Sequence, residues 1–260
     1  RRIVEFVLIP LVALGVSALT LFSGFGLGTL LMPAFAVFFP IELAVAMTAV
    51  VHFLNNVFKL VLLGRHASKQ AVLRFGVPAI LLAIVGARLL LWLSGLDPIG
   101  TWSLGALEFT VTPIKLIIAV LMIGFAVFEL DSRLSNLSID ARYLPVGGAL
   151  SGFFGGLSGH QGALRSAFLL HTGLKKEAFI ASGVVIGSMV DVGRLVVYGA
   201  YYARTGIGEN IALLAVTALF AFVGAFVGRR LLKKVTLRYI QVLVGIMLIG
   251  IAIGLGTGVI

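Results

Sequence analysis

The sequence contains no cysteine and few charged residues. Of its 260 residues, 12% are charged, whereas a soluble domain carries about 25%. The absence of cysteine excludes disulfides, thiol chemistry and Cys-ligated metal sites. The scarcity of charge excludes a soluble globular enzyme, a disordered segment and a nucleic-acid-binding protein, because each of these needs a well-hydrated surface.

Apolar residues take the place of the missing charge. Mean hydropathy is +1.15, and apolar runs of about 20 residues, the length that crosses a bilayer core as a helix, recur from end to end. These runs do not alternate apolar and polar residues as transmembrane β-strands do. The sequence therefore predicts an all-α, polytopic helical membrane protein, and nothing in it calls for a cofactor or a metal.

The apolar runs differ in length. The long ones cover 4–22, 43–63, 71–94, 112–129, 143–157, 177–202, 208–228 and 239–256. Two shorter runs, 28–39 and 162–172, reach only about half a bilayer at ~1.5 Å per helical residue. Each follows a glycine-rich break, at 23–28 and at 155–162. We predict two short helices that begin inside the membrane.

The two halves of the chain resemble each other. Each runs long span, glycine break, short helix, polar-bearing span and two further spans. Gly28-Thr-Leu-Leu-Met-Pro-Ala-Phe occupies the place that Gly162-Ala-Leu-Arg-Ser-Ala-Phe-Leu takes in the second half. We predict a first transmembrane repeat over 1–130, a linker over 131–142 and a second repeat over 143–260.

Matching loops carry opposite charge. The first-half loop 65–74 is basic, whereas its counterpart 203–207 has one arginine. The next loop, 95–111, has no Lys or Arg, whereas its counterpart 229–238 has five. Inverted repeats produce this opposite bias. We expect inverted-topology repeats with five passes each and both termini outside, and eight passes is the alternative.

The glycine breaks are candidate anion sites. A helix that begins within the membrane presents unpaired backbone N–H groups and the positive end of its dipole, a ready binding site for an anion. The alternative is that these glycines only pack helices. The candidate substrate-binding residues of the breaks are Gly24, Gly26, Gly28, Thr29, Ser158, Gly159, His160, Gln161 and Gly162.

The span 43–63 carries a polar stripe. His52, Asn55, Asn56 and Lys59 share one helical face, which must face protein or water rather than lipid. His52 is a candidate ligand or proton carrier, and the asparagines are candidate ligands or inter-helix hydrogen-bonding groups. Lys59 is a candidate gating charge, with snorkelling toward the basic loop as the alternative.

The second half holds charges at matching depth. Arg165 lies three residues into the second short helix, where an ionisable residue is a functional candidate. Its alternative role is to hydrogen-bond carbonyls of the broken helix. Asp191 and Arg194 are three residues apart on span 177–202 and are predicted to pair. The pair is either a structural ion pair or a gate.

Several of these motifs carry a family resemblance. They are Gly24-Phe-Gly-Leu-Gly28 followed by Pro33, Thr48 on the next span, and the second glycine-rich break at 155–162. With them the chain resembles, over nearly its whole length, the TauE/SafE sulfite exporter family of membrane permeases. The resemblance implies export of sulfite, organosulfonates or related small sulfur-containing anions. The second break departs from the family pattern, with Gly159-His-Gln-Gly162, which leaves the anion's identity open.

We therefore expect a permease of a bacterial inner membrane whose partners are a small anion and the lipid bilayer, with its oligomeric state open. Two halves rocking in opposite senses would alternate access to the site. A passive anion channel is one alternative. Another is an intramembrane serine hydrolase built on Ser158 of Gly156-Leu-Ser-Gly159. That enzyme needs a base beside the serine, and His160, two residues away, is expected to point elsewhere.

Overall fold

The protein is a bundle of helices in a computed structural model. The described residues are 2–20, 27–63, 66–131, 133, 139–170, 172–205, 210–231 and 237–260. Gly24 and Gly26 of the first predicted break lie outside them. The second break, at 155–162, is described in full.

Ten helices form the described part of the chain, and each matches one predicted apolar run. Six of them (α1, α3, α4, α5, α8 and α9) are long and apolar enough to cross a membrane by length and composition. This confirms a polytopic helical membrane protein. The helices are α1 (Arg2–Thr20), α2 (Leu27–Ala36), α3 (Ile41–Leu63), α4 (Lys69–Ser94), α5 (Pro113–Leu130), α6 (Leu144–Ser158), α7 (Gly162–Leu170), α8 (Lys176–Thr205), α9 (Ile211–Leu231) and α10 (Leu237–Gly256).

A small β-hairpin follows α4 and was not predicted from the sequence. Its strands, β1 (Gly100–Leu104) and β2 (Leu107–Val111), pair antiparallel. Gly105 makes the tight turn possible because its φ is 63°, a conformation that glycine adopts without strain. Trp102 Nε1 donates a hydrogen bond to the carbonyl oxygen of Thr257 at 2.7 Å, which fastens the hairpin to the chain just after α10.

Apolar side chains cover much of the outside of the bundle, and polar side chains fill part of its inside. Val120 and Val196 are 67% and 65% exposed. His52, Asp191 and Arg194 are buried. A soluble protein rarely exposes large contiguous apolar surface, so this distribution fits helices that face lipid.

Two helix pairs run parallel and in very close contact. A methyl group at Gly148 would overlap the carbonyl oxygen of Phe75, and one at Gly156 would overlap that of Ala83. Because both numbers rise together, α6 runs parallel to α4. Small residues allow this approach of two backbones.

The second close pair is α1 with α9. A methyl group at Gly224 would overlap the carbonyl oxygen of Leu14, and one at Gly228 would overlap that of Ala18. These helices are therefore also parallel. In both pairs, the first helix of one half packs on the fourth helix of the other half.

The equivalent helices α3 and α8 run antiparallel. His52 contacts Asp191, whereas Ser68, just after α3, contacts the earlier residue Ser182. The pair α5 and α10 is antiparallel too, since Leu130 faces Gly245 and α5 residues nearer its start face the end of α10. Antiparallel equivalents are what inverted repeats produce. The repeat boundaries themselves remain a prediction.

The short helix α7 folds back along α6. Gln161 packs on Gly155 and Phe168 packs on Gly147, so the two helices form an antiparallel hairpin. Gly156, near the tip, lies opposite Ala83, in the middle of α4. The hairpin therefore reaches the middle of the bundle and returns. The α6–α7 hairpin therefore counts as no crossing, and α8, α9 and α10 give the second half three crossings instead of the five expected. Three is still an odd number, which inversion of the repeats requires.

Candidate functional site

The start of α2 meets the tip of the α6–α7 hairpin in the middle of the bundle. A Cβ atom at Gly28 would lie 3.2 Å from the carbonyl oxygen of Gly159 and 3.6 Å from His52 Cδ2. Thr29, in the same turn of α2, is also buried. Both short helices and α3 thus converge at one place.

The tip exposes the amino end of α7 to this place. Gly159 ends α6 with φ at 80°, a left-handed conformation that favours glycine. Ser151 Oγ holds the next turn by donating to the carbonyl oxygen of Gln161 at 2.8 Å. Within the described residues, no hydrogen bond leaves the backbone N–H groups of Gly162 and Ala163. Such groups at a helix start favour an anion.

Asp191 is the centre of a hydrogen-bonded cluster between the two halves. From α3, His52 Nδ1 lies 2.6 Å from Asp191 Oδ2, and Asn56 Nδ2 donates to the same oxygen at 3.2 Å. From the hairpin tip, Gln161 Nε2 donates to Oδ1 at 3.1 Å. A buried carboxylate needs such donors to offset the loss of its hydration. The sequence did not indicate that His52 and Asp191 meet.

Arg194 completes this cluster and caps the broken helix. Its Nη2 donates to Asp191 Oδ1 at 2.7 Å, so the pair predicted from the sequence forms. Its Nη1 donates to the carbonyl oxygen of Gly155 at 3.2 Å, and the Tyr198 hydroxyl donates to that of Gly156. The last carbonyls of a helix have no intrahelical partner. Capping, considered for Arg165, is therefore performed by Arg194 and Tyr198.

Arg165 is buried on the other side of the tip, against glycine backbone. Its Nη1 donates to Gln161 Oε1 at 3.1 Å. A Cβ atom at Gly187 of α8 would lie 2.9 Å from this Nη1 and 3.0 Å from Asn56 Nδ2. Sequence reasoning missed Gly183 and Gly187, although their spacing of four residues places them on one face of the polar-bearing helix.

Asn55 and Lys59 form a second polar face on α3, one turn apart. Ser17 Oγ donates to Asn55 Oδ1 at 3.5 Å, and the Nδ2 of this amide is buried with no hydrogen-bond partner in the described structure. Lys59 is 7% exposed, so it does not snorkel. Among the described residues, none accepts a hydrogen bond from Lys59 Nζ or forms an ion pair with it. These two donors are available to a ligand.

Ser158 and His160 are in contact, contrary to the expectation from their spacing. His160 Nδ1 lies 3.1 Å from Ser158 Oγ because the left-handed Gly159 turns the chain between them. His160 Nδ1 donates to the carbonyl oxygen of Ser158 at 2.9 Å, and Ser158 Oγ donates to that of Phe154 at 2.9 Å. The ring of His160 also stacks on Phe125.

Comparison with known families agrees with this architecture. The sequence profile described as sulfite exporter TauE/SafE matches residues 9–255. The chain belongs to this family. No curated protein and no solved structure matches it. As a TauE/SafE protein it is an integral, multi-pass membrane protein of a transporter family, whose members are sulfite and sulfur-anion exporters rather than enzymes.

The central charges of this TauE/SafE protein are unequal. Lys59, Arg165 and Arg194 are buried cations, whereas Asp191 is the one buried carboxylate among the described residues of this cluster. Asp191 already binds His52 and Arg194. Buried charge is costly unless it is compensated. The site therefore has an excess of positive groups that suits an anion.

Proposed function

We propose that this protein moves a small sulfur-containing oxyanion, sulfite or a sulfonate, across the membrane by alternating access around the site where α2 and α7 begin. The observation that supports it most is the unmet donor set beside that site. Lys59 Nζ and Asn55 Nδ2 lack protein partners among the described residues. In this central cluster the buried cations outnumber Asp191, its one described carboxylate. An anion supplies the missing charge and acceptors.

The proposed binding site combines backbone and side-chain donors. The N–H groups of Gly28 and Thr29 and those of Gly162 and Ala163 would bind the oxygens of the anion. Asn55, Arg165, His52, Asn56, His160 and Gln161 would set its fit and charge. Gly159 and Ser158 shape the tip rather than contact the anion, because the Ser158 hydroxyl is already donated to Phe154.

The directions of the helices indicate which end of the bundle faces the cytoplasm. The helix α8 runs parallel to α4, since Gly76 lies against Met189 and Ile80 against Gly193. With α6 also parallel to α4, all three helices begin at one end of the bundle. Lys69, Arg74, Arg142 and Lys175 lie at that end. The positive-inside rule assigns it to the cytoplasm, and we place the protein in a bacterial inner membrane. An inside-negative potential favours outward movement of an anion by about 2.3 kcal/mol per charge per 100 mV, so export needs no coupling ion.

Sulfite efflux from proteoliposomes tests the proposal. Vesicles loaded with sulfite should release it faster when they contain the protein, and faster still with an inside-negative potential. Arg165→Ala should remove this flux, whereas Arg142→Ala, at an exposed position, should preserve it. If folded protein moves neither sulfite, thiosulfate nor a small sulfonate, the proposed function is wrong.

A passive channel and a hydrolase are the alternatives. Saturable flux with counterflow would favour the carrier over the channel. The Ser158–His160 contact makes the hydrolase worth testing. However, His160 Nδ1 must carry a proton to donate to the carbonyl of Ser158, so in its neutral form it cannot take one from Ser158 Oγ. The site lacks the activated serine that such an enzyme needs.

A further inference from the structure

We infer that the parts that move against each other in transport are not the two sequence halves but two bodies that exchange a helix between the halves. The first body is α1, α2, α3 and α9, and the second body is α6, α7, α8 and α4. This inference rests on the proposed transport function and concerns how the site opens. It replaces the rocking of complete halves expected from the sequence.

Close backbone packing ties α4, from the first half, to the second body. The glycines Gly148, Gly152 and Gly156 of α6 lie directly against backbone carbonyl oxygens of α4. The helix α8 packs on α4 as well, since Gly193 meets Ile80. Interlocked, close-packed surfaces resist sliding because any shift creates overlap or a void. We therefore expect α4 to move with α6 and α8.

The same packing ties α9, from the second half, to the first body. Gly224 and Gly228 lie against backbone oxygens of α1. Phe58 of α3 stacks on Phe222 of α9, with ring centroids 5.0 Å apart. Each body thus contains one hairpin or short-helix unit, one polar-bearing helix and one helix from the other half.

The helices α3 and α8 also pack extensively on each other, but this contact between the two bodies includes polar side chains. The helices α3 and α8 meet through His52 and Asn56, which bind Asp191, and the tips meet at Gly28 and Gly159. Hydrogen-bonded polar groups can exchange one partner for another, including water or an anion. The substrate site therefore lies on the boundary between the bodies, where relative motion would open it to either side.

The lack of cysteine makes a cross-linking test direct. Ser68→Cys with Ser182→Cys joins α4 to α8, at positions where Ser68 N donates to Ser182 Oγ at 2.9 Å. This disulfide links the two sequence halves but lies within the second body. The antiparallel register set by the His52–Asp191 contact places residues 48 and 195 one turn further along, so we expect Thr48→Cys with Leu195→Cys to join α3 to α8. This disulfide links the two bodies.

Sulfite efflux is measured for each pair before and after oxidation, with disulfide formation verified by mass. We expect efflux to survive the Ser68–Ser182 cross-link and to fall at least about tenfold with the Thr48–Leu195 cross-link, since rigid-body motion is then blocked. Loss of efflux with the Ser68–Ser182 cross-link, or survival with both, would overturn the inference. Absence of efflux in the reduced proteins and in the parent would instead contradict the proposed transport function.

Discussion

The two polar faces of α3 have opposite hydrogen-bonding states. His52 and Asn56 face α8, where Asp191 accepts from both and is also bound by Arg194. Asn55 and Lys59 lie on the neighbouring face of α3, and each has a side-chain donor without a protein partner in the described structure. A saturated buried network adds rigidity, whereas unmet buried donors are costly until a ligand arrives. We therefore expect the first face to contribute mainly to the stability of this state of the bundle, and the second mainly to the affinity for the anion.

The largest expected effect comes from breaking the saturated face. Asp191→Asn leaves Arg194 buried without its counter-charge, and removing one partner of a buried ion pair costs about 3–5 kcal/mol. Thermal unfolding of the purified variant should show a clear loss of stability. Asp140→Asn is the matched control, because Asp140 and Arg142 form an exposed pair at 4.0 Å, and it should change little. Wild-type stability in Asp191→Asn would show that the cluster does not stabilise this state of the bundle.

The unmet face should respond in the opposite way. Lys59→Gln removes a buried charge without a protein partner, so stability should be retained or increased. Sulfite should then bind about tenfold to hundredfold more weakly, since a hydrogen bond to a charged group contributes about 1.5–3 kcal/mol. The readout is the sulfite-induced shift in melting temperature, with exposed Lys69→Gln as control. A Lys59→Gln variant that melts at a clearly lower temperature yet keeps its sulfite affinity would show that Lys59 stabilises the fold and does not bind the anion.

Adjacent asparagines give the sharpest version of this comparison. Asn56→Leu removes a donor from Asp191 and should lower stability by about 1–3 kcal/mol. Asn55→Leu removes a buried Nδ2 donor that has no partner and a long 3.5 Å acceptor contact with the Ser17 hydroxyl, so it should lower stability less than Asn56→Leu does and weaken sulfite binding severalfold. Melting temperature and sulfite affinity are measured for both. Identical behaviour of the two variants would mean that the faces do not differ.

The sequence was sufficient for the parts of the fold that depend on local chemistry. Apolar runs located the ten helices because crossing a bilayer demands length and hydropathy. Glycine-rich segments located the second break because Gly159 alone permits the left-handed turn there. Helical periodicity placed His52 and Lys59 on α3 with the other polar residues, and the spacing of Asp191 and Arg194 predicted their pairing.

The parts that depend on contacts distant in sequence were not predictable in this way. His52 and Asp191 are 139 residues apart, and nothing local indicates that they meet. The division of α3 into a saturated and an unmet face follows from which helices lie beside it. Likewise, the glycines of α6 pack on α4 of the other half, but their spacing would equally suit packing on a helix of their own half. These features require the assembled bundle.

The smallest expected effect concerns the Ser158 hydroxyl, which, like the saturated face of α3, already has a protein acceptor. Ser158 Oγ donates to the carbonyl oxygen of Phe154 within its own helix, a local bond of the kind that contributes little to helix stability. Ser158→Ala should therefore keep sulfite efflux within about twofold of the parent, because this hydroxyl has no donor left for an anion. Parallel treatment of the parent with a fluorophosphonate should leave Ser158 unmodified. Abolished efflux in the variant, or labelling of the parent at this serine, would move Ser158 from the scaffold into the functional site.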